Sequence, residues 1–173
     1  MILRPLNFIT NKIYELPILV MMPHSRCNCR CVMCDIWKAN NEKKELSIEE
    51  IERHLSAFEK LRVREVVLSG GEALMHSNLF KLCGLLHQKK IKVTLLSTGL
   101  LLRKFAKEVV ENIDEVIVSL DGSREVHNRI RNIPEAFEKL ADGVRAIREL
   151  KPDFRITEGV YCSDIIILTF RTL

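Results

Sequence analysis

The chain has 173 residues, of which 47% are hydrophobic and 29% are charged, so intrinsic disorder is excluded and one domain is expected. Its 27 basic and 23 acidic residues are interspersed and only 6% of the residues are aromatic, which excludes a dominant nucleic-acid surface and a stacking platform for single strands. A closed eight-stranded α/β barrel takes about 250 residues. Any barrel formed by this chain is therefore expected to be incomplete.

The N-terminal segment and the cysteine content indicate a cellular compartment. The first residues lack the basic, apolar and small-residue regions of a signal peptide. The apolar run over residues 16–22 contains Pro17 and is far shorter than the roughly 20 residues of a membrane span. Four of the six cysteines fall within eight residues, a spacing that favours a metal site in a reducing compartment over a disulfide framework. We predict a cytoplasmic protein without membrane association.

Short apolar runs alternate with stretches of helical periodicity along the chain. The predicted strands occupy residues 17–22, 65–69, 92–97, 115–120 and 154–160, and the first is expected to be buried. They begin about every 34 residues, close to the length of a βαβ unit. This alternation predicts a parallel sheet with right-handed crossovers, built from about five βα units.

Helical periodicity fills the intervals between the predicted strands. The predicted helices begin at a Ser47 capping box and run to Leu61, cover residues 79–88 and 100–111, and begin again near Pro134, after a polar loop. The predicted organisation is a lead-in over residues 1–16, a core over residues 17–161 and an atypical tail over residues 162–173. Within that tail, the apolar run 165–168 stands where a helix or sixth strand is expected.

A cysteine loop, residues 27–34, directly follows the first predicted strand. Cys27, Cys31 and Cys34 form the pattern C-x3-C-x2-C. Iron–sulfur clusters are commonly held by four thiolates, so three ligands would leave one iron of a four-iron cluster open. Open metal positions are where substrates and cofactors bind.

A structural zinc site and a ferredoxin-type loop with a fourth cysteine are the alternatives for these thiols. Zinc prefers four tetrahedral ligands, and Cys83 and Cys162 are isolated from the loop. Cys29 lies between two candidate ligands. We interpret it as a spare thiol, because ligation by both Cys27 and Cys29 is sterically awkward.

The cysteine loop resembles the motif of the radical S-adenosylmethionine (radical SAM) superfamily. This resemblance implies a [4Fe-4S] cluster on Cys27, Cys31 and Cys34, with the fourth iron chelated by the amino and carboxylate groups of S-adenosylmethionine. It also implies a fold, an incomplete parallel (β/α) barrel of the radical SAM type. Met33 occupies a position where the family often has an aromatic residue that packs near the adenine.

A Gly70-Gly71-Glu72 triplet follows the second predicted strand, at the end where ligands bind in α/β folds. Glycines permit close backbone approach to a ligand, and a carboxylate accepts hydrogen bonds from an ammonium group. The triplet alone is also typical of a turn. It matches the family's GGE motif, which implies that it holds the methionyl amino group of the cofactor, although Ala73 replaces a frequent proline.

The third and fourth predicted strands end in Ser97-Thr-Gly and Ser119-Leu-Asp-Gly. Serine at a strand end commonly caps or turns the chain. The resemblance assigns Ser97 and Ser119 to the cofactor's ribose and methionyl carboxylate, while Thr98 replaces a frequent asparagine. His127 and Arg131 also match a pattern frequent in the family, and we assign His127 no catalytic role.

The resemblance implies reductive cleavage of S-adenosylmethionine to a 5′-deoxyadenosyl radical, which abstracts hydrogen from an unknown substrate. That substrate would be a small molecule or a peptide, and the electron donor would be a flavodoxin or ferredoxin. The first step requires no acid or base from the protein, so no catalytic side chain is predicted. The alternatives are a truncated, catalytically silent cluster-binding or interaction protein and, less favoured, a structural zinc protein.

Overall fold

A mixed six-stranded sheet with its strands in chain order forms the centre of the computed structural model, which describes residues 7, 9–39, 41, 44–162 and 165–167. The strands are β1 (Ile18–Met21), β2 (Glu65–Leu68), β3 (Lys92–Ser97), β4 (Glu115–Ser119), β5 (Arg155–Cys162) and β6 (Ile165–Ile167). Strands β1 to β5 pair in parallel, whereas β6 runs antiparallel to β5. The predicted α/β fold with five parallel strands is confirmed.

Helices connect the parallel strands. They are α1 (Ile48–Lys60), α2 (Leu79–Gln88), α3 (Ala106–Asn112), α4 (Arg124–Arg131) and α5 (Ala136–Leu150), with short 3-10 turns at Ile36–Ala39 and Ala73–Met75. The predicted capping box is present, since Ser47 Oγ accepts from the Glu50 amide at 3.2 Å and Glu50 Oε2 accepts from the Ser47 amide at 2.7 Å. None of the described helices is long and apolar enough to cross a membrane.

The main core lies between the sheet and these helices. One face of β2, β3 and β4 contributes six buried side chains: Val66, Leu68, Val93, Leu95, Val116 and Val118. The helices and the turns beside them cover this face with residues such as Ile51, Leu82, Leu86, Val109 and Ile147. Because the strands are parallel and in register, this core holds their carboxyl ends at one edge of the sheet.

The prediction that the first strand is buried is wrong. Ile18 and Val20 are 54% and 57% exposed, whereas Met21 is 7% exposed. β1 lies at the edge of the sheet, and only one of its faces meets the core. The sequence does not show this alternation of exposed and buried residues, because both faces of β1 carry apolar side chains.

The helix predicted over residues 100–111 starts later, at Ala106, after a series of turns. The amide of Leu102 bonds the carbonyl of Gly99 at 3.2 Å, and Leu102 is fully buried. Successive turns that bury an apolar residue produce a spacing close to that of a helix. The helix predicted near Pro134 also starts later, at Ala136, because Glu135 adopts a left-handed conformation with φ 59°.

The polar loop predicted before Pro134 is mostly helical, since α4 forms there. Its buried side chains are His127 and Arg131, which are both polar. Hydrophobic periodicity does not detect a helix with a polar inner face. In the C-terminal segment, the sixth-strand alternative is observed for Ile165–Ile167, while residue 168 lies outside the described residues. The boundaries proposed after residues 16 and 161 stay predictions.

Candidate cofactor site

One open cleft at the carboxyl ends of the strands brings together most of the predicted site residues. We call it the cofactor cleft. Eight of the nine predicted residues line it: Cys27, Cys31, Met33, Cys34, Gly70, Gly71, Ser97 and Ser119. The ninth, Glu72, lies directly behind the lining and is bonded to Ser97 and Thr98.

The cysteine loop is fixed to its surroundings from two sides. The amide of Val32 bonds the carbonyl of Ile130 in α4 at 3.0 Å, and the amide of Glu72 bonds the carbonyl of Arg26 at 2.8 Å. Apolar side chains pack against the thiols, among them Ile36, Trp37, Leu100 and Ile133. The loop is therefore held in place by contacts with the surrounding fold.

Hydrogen bonds within the loop distinguish the thiols. Hydrogen bonding with the Cys29 side chain, with help from the charge of Arg131, lowers the pKa of Cys31 to about 6 against the effect of burial. The Cys29 side chain also lowers the pKa of Cys27, helped by the Cys29 amide 3.4 Å from Cys27 Sγ. As the shared donor, Cys29 has its own pKa raised. The hydrogen bonds of the loop thus lower the pKa of two predicted ligands, Cys27 and Cys31, and raise that of Cys29.

The two glycines of the triplet are required by the backbone segment that leads into the cysteine loop. Gly70 has φ +106°, and a Cβ added to Gly71 would lie 1.8 Å from the carbonyl oxygen of Arg26. The sequence predicts close approach of a ligand at these glycines. In the structure they first admit the backbone that leads into Cys27.

Glu72 is fully buried and accepts hydrogen bonds from three residues. Ser97 Oγ lies 3.0 Å and 3.1 Å from its two oxygens, and Thr98 donates through its amide at 2.8 Å and its hydroxyl at 2.6 Å. The amide of Leu74 donates at 3.3 Å. Burial raises the pKa of Glu72, and these bonds oppose that effect. Thr98, in the position where the resemblance leads one to expect asparagine, therefore fixes the carboxylate.

A buried charged group, not assigned a role from the sequence, borders the cleft. Arg131 forms two bonds with Asp121, from Nε at 2.6 Å and from Nη2 at 2.7 Å. His127 Nδ1 lies 3.1 Å from Asp121 Oδ2. The signal in the sequence is the i, i+4 spacing of His127 and Arg131, which places both on one face of α4.

Comparisons with known proteins decide the family. A family model described as the Radical SAM superfamily matches residues 21–168. The chain belongs to the radical SAM superfamily. It is 30% identical over 146 residues to an Fe-coproporphyrin III synthase of Methanosarcina barkeri, covering 82% of this chain and 37% of the relative. It is 31% identical over 125 residues to a probable GTP 3′,8-cyclase of Archaeoglobus fulgidus, covering 65% and 42%.

Solved structures show the same fold. Native anSMEcpe with bound AdoMet superposes with a TM-score of 0.67 at 22% identity, covering 82% of this chain and 43% of that one. SuiB of Streptococcus suis, bound to its precursor peptide SuiA, gives a TM-score of 0.69 at 19% identity, covering 89% and 35%. This radical SAM chain spans about two fifths of the length of the curated relatives it matches.

The donor set of the cleft fits the cluster that radical SAM proteins carry. Among the residues that the structure describes, no three His, Cys, Asp or Glu side chains converge closely enough to hold a single metal ion. A four-iron cluster requires thiols that are farther apart, because each thiolate binds a separate iron. Cys27, Cys31 and Cys34 meet that requirement by lining one cleft together. The [4Fe-4S] cluster and S-adenosylmethionine predicted from the motifs are the cofactors of this superfamily.

Proposed function

We propose that this chain binds a [4Fe-4S] cluster through Cys27, Cys31 and Cys34 and binds S-adenosylmethionine beside it, as a radical SAM enzyme or its cofactor-binding part. The observation that carries the proposal is the convergence of the cysteine loop, the glycine turn and the ends of β3 and β4 on one cleft. When bound, these cofactors supply a reductively generated 5′-deoxyadenosyl radical for hydrogen abstraction. The protein supplies ligation, orientation and shielding from water.

We assign the methionyl part of the cofactor to Gly70, Gly71 and Glu72. The Glu72 carboxylate is already saturated by donors, so an ammonium group would bind by replacing a hydroxyl donor, that of Ser97 or Thr98. A carboxylate held by two backbone amides keeps its position during such an exchange.

We assign Ser97 and Ser119 to the ribose and carboxylate of the cofactor and Met33 to its adenine. Ser97 and Ser119 stand at the ends of neighbouring strands, and Met33 is 39% exposed on the cysteine loop. A thioether beside the cleft offers a polarizable surface to an aromatic base. The substrate, a small molecule or peptide, would enter the same cleft, and a flavodoxin or ferredoxin would deliver the electron in the cytoplasm.

The test is anaerobic reconstitution of the full chain with iron and sulfide. We expect about four irons per chain, an electron paramagnetic resonance signal that S-adenosylmethionine changes, and 5′-deoxyadenosine after reduction. Stoichiometric zinc without iron would support the structural zinc alternative. A four-iron signal that the cofactor leaves unchanged would contradict the open-iron site, and cofactor binding without cleavage would support the catalytically silent alternative.

A further inference from the structure

The buried group of Asp121, His127 and Arg131 lies between α4 and the cysteine loop. The Asp121 side chain is fully enclosed and that of Arg131 is 6% exposed. Two parallel bonds from Nε and Nη2 hold the guanidinium on the carboxylate, and such a fork fixes its plane as well as its position. The pair is therefore rigid and close to neutral as a unit.

His127 supports the far side of this pair. Its side chain is fully buried, and Nδ1 lies 3.3 Å from the amide nitrogen of Asp121 as well as 3.1 Å from the carboxylate. Phe137 packs its ring edge-on to the imidazole, with the ring centroids 6.2 Å apart. With α4 on one side and α5 on the other, Asp121 has little freedom to move.

The remaining edge of the guanidinium faces the cysteine loop. Arg131 Nη1 donates to Cys31 Sγ at 3.7 Å, joining residues 100 positions apart in the sequence. The bond from the Val32 amide to Ile130 fastens the same helix to the same loop. The sulfur of Cys31 thus has a fixed, charged N–H donor that also lines the cleft.

We propose that Arg131, positioned by Asp121, raises the reduction potential of the cluster through its N–H···S bond to Cys31. The inference rests on the proposed function, in which Cys31 is a cluster ligand. One-electron reduction adds negative charge to the cluster and its thiolates, and a donor at the sulfur stabilises that charge. Asp121 offsets most of the positive charge of Arg131, so the N–H···S bond accounts for most of the effect on the potential. Loss of Arg131 should therefore lower the reduction potential, and loss of the Asp121 charge should raise it.

The test is a redox titration of the reconstituted full chain without S-adenosylmethionine, followed by electron paramagnetic resonance. Arg131→Met should lower the midpoint potential, with at least a tenfold less favourable reduction equilibrium, or about 59 mV for one electron. Asp121→Asn should raise it, because the guanidinium loses its counter-charge. Arg129→Met removes the same charge from an exposed position of the same helix and should leave the potential unchanged.

A merely structural role would not shift the midpoint potential in opposite directions in Arg131→Met and Asp121→Asn, because a general loss of packing should affect both variants in the same direction. An Arg131→Met protein with the wild-type four-iron signal and an unchanged midpoint overturns the inference and leaves the cofactor proposal intact. A wild-type chain that assembles no four-iron cluster contradicts the proposed function itself.

Arg131→Met leaves the Asp121 carboxylate buried without its cation, which destabilises the folded protein. The double variant Asp121→Asn/Arg131→Met removes both charges and keeps the measurement available. Since it also removes the N–H···S bond, its midpoint should fall relative to the wild type. An unchanged midpoint in the folded double variant overturns the inference.

Discussion

Four thiols lie within the cysteine loop, and their hydrogen bonds separate one of them from the others. Cys29 is fully buried, its amide donates to Cys27 Sγ at 3.4 Å, and hydrogen bonding with its side chain lowers the pKa of Cys27 and Cys31. A donor thiol lowers the energy of the neighbouring thiolates without itself becoming a ligand. The interpretation of Cys29 as a spare thiol stays a prediction, and these hydrogen bonds predict a role for it, which is to favour thiolates at the two predicted ligands.

This division of roles predicts the effect of removing single thiols. Cys31→Ala should lose most of the bound iron after reconstitution, whereas Cys29→Ser should retain it, since the serine hydroxyl keeps one hydrogen-bond donor at this position. Cys83→Ala is the matched control, because this buried thiol on α2 lies outside the cysteine loop. Iron content and the four-iron resonance signal measure the outcome. Equal loss from the Cys29 and Cys31 variants would show that Cys29 is itself a ligand.

The buried hydrogen bonds of Glu72 predict how a single substitution at this residue affects the free energy of unfolding. In Glu72→Gln, the side-chain NH2 would face a backbone N–H, that of Leu74 or that of Thr98, so one buried bond becomes a contact between donors. We expect a loss of about 1–3 kcal/mol in the free energy of unfolding, measured by urea denaturation. Glu149→Gln, at an exposed position of α5, should change it little. Equal stability of the two variants would contradict the saturated carboxylate described above.

At the scale of elements, the two glycine environments predict opposite outcomes for one substitution. Gly71→Ala places a methyl group against the Arg26 carbonyl and should cost roughly 1–3 kcal/mol or displace the cysteine loop, lowering iron uptake. Gly84→Ala, inside α2 with nothing within 4 Å of its Cβ, should gain about 0.5–1 kcal/mol. Urea denaturation and iron content measure both. Equal tolerance of alanine would contradict the close packing of the turn on the loop.

A comparison of the individual helices and strands shows which of them can be predicted from the sequence. α2 and β3 have their predicted bounds, because apolar periodicity and flanking turn residues agree there. α4 is missed, since its inner face is made of His127 and Arg131. The bond from Arg131 to Cys31 joins distant segments, and no local spacing specifies such a contact. Motif order located the cleft, whereas the charged group beside it required the packed fold.

Over the whole molecule, the two ends of the sheet have different chemistry. The carboxyl ends of the strands form the cofactor cleft, while the amino ends of β2, β3 and β4 carry an ionic ladder. Lys92 Nζ in that ladder lies 3.3 Å from Glu65 Oε1 and 2.7 Å from Glu115 Oε2. In parallel α/β folds the amino-terminal face serves stability and the carboxyl-terminal face serves chemistry. The ladder should therefore affect unfolding and leave cluster assembly unchanged.

Glu115 makes that separation measurable through pH. Burial acts to raise its pKa, but the hydrogen bond and charge of Lys92, with help from Thr157 and Arg155, hold it below the ordinary 4.5. A carboxyl whose pKa is lower in the folded state stabilises the protein above the unfolded-state pKa. This stabilisation is lost as pH falls from about 4.5 through the lower folded value. Glu115→Gln should lose stability at neutral pH and lose this part of the acid dependence.

Urea denaturation of the chain without cluster, between pH 7 and pH 3, measures the difference. Glu52→Gln, an exposed carboxylate on α1, is the control and should follow the wild-type profile. After reconstitution at neutral pH, Glu115→Gln should bind as much iron as the wild type, because Glu115 lies at the opposite end of the strand from Ser119. Loss of iron in the folded Glu115→Gln protein would show that the two ends of the sheet are coupled, against the separation argued from the fold.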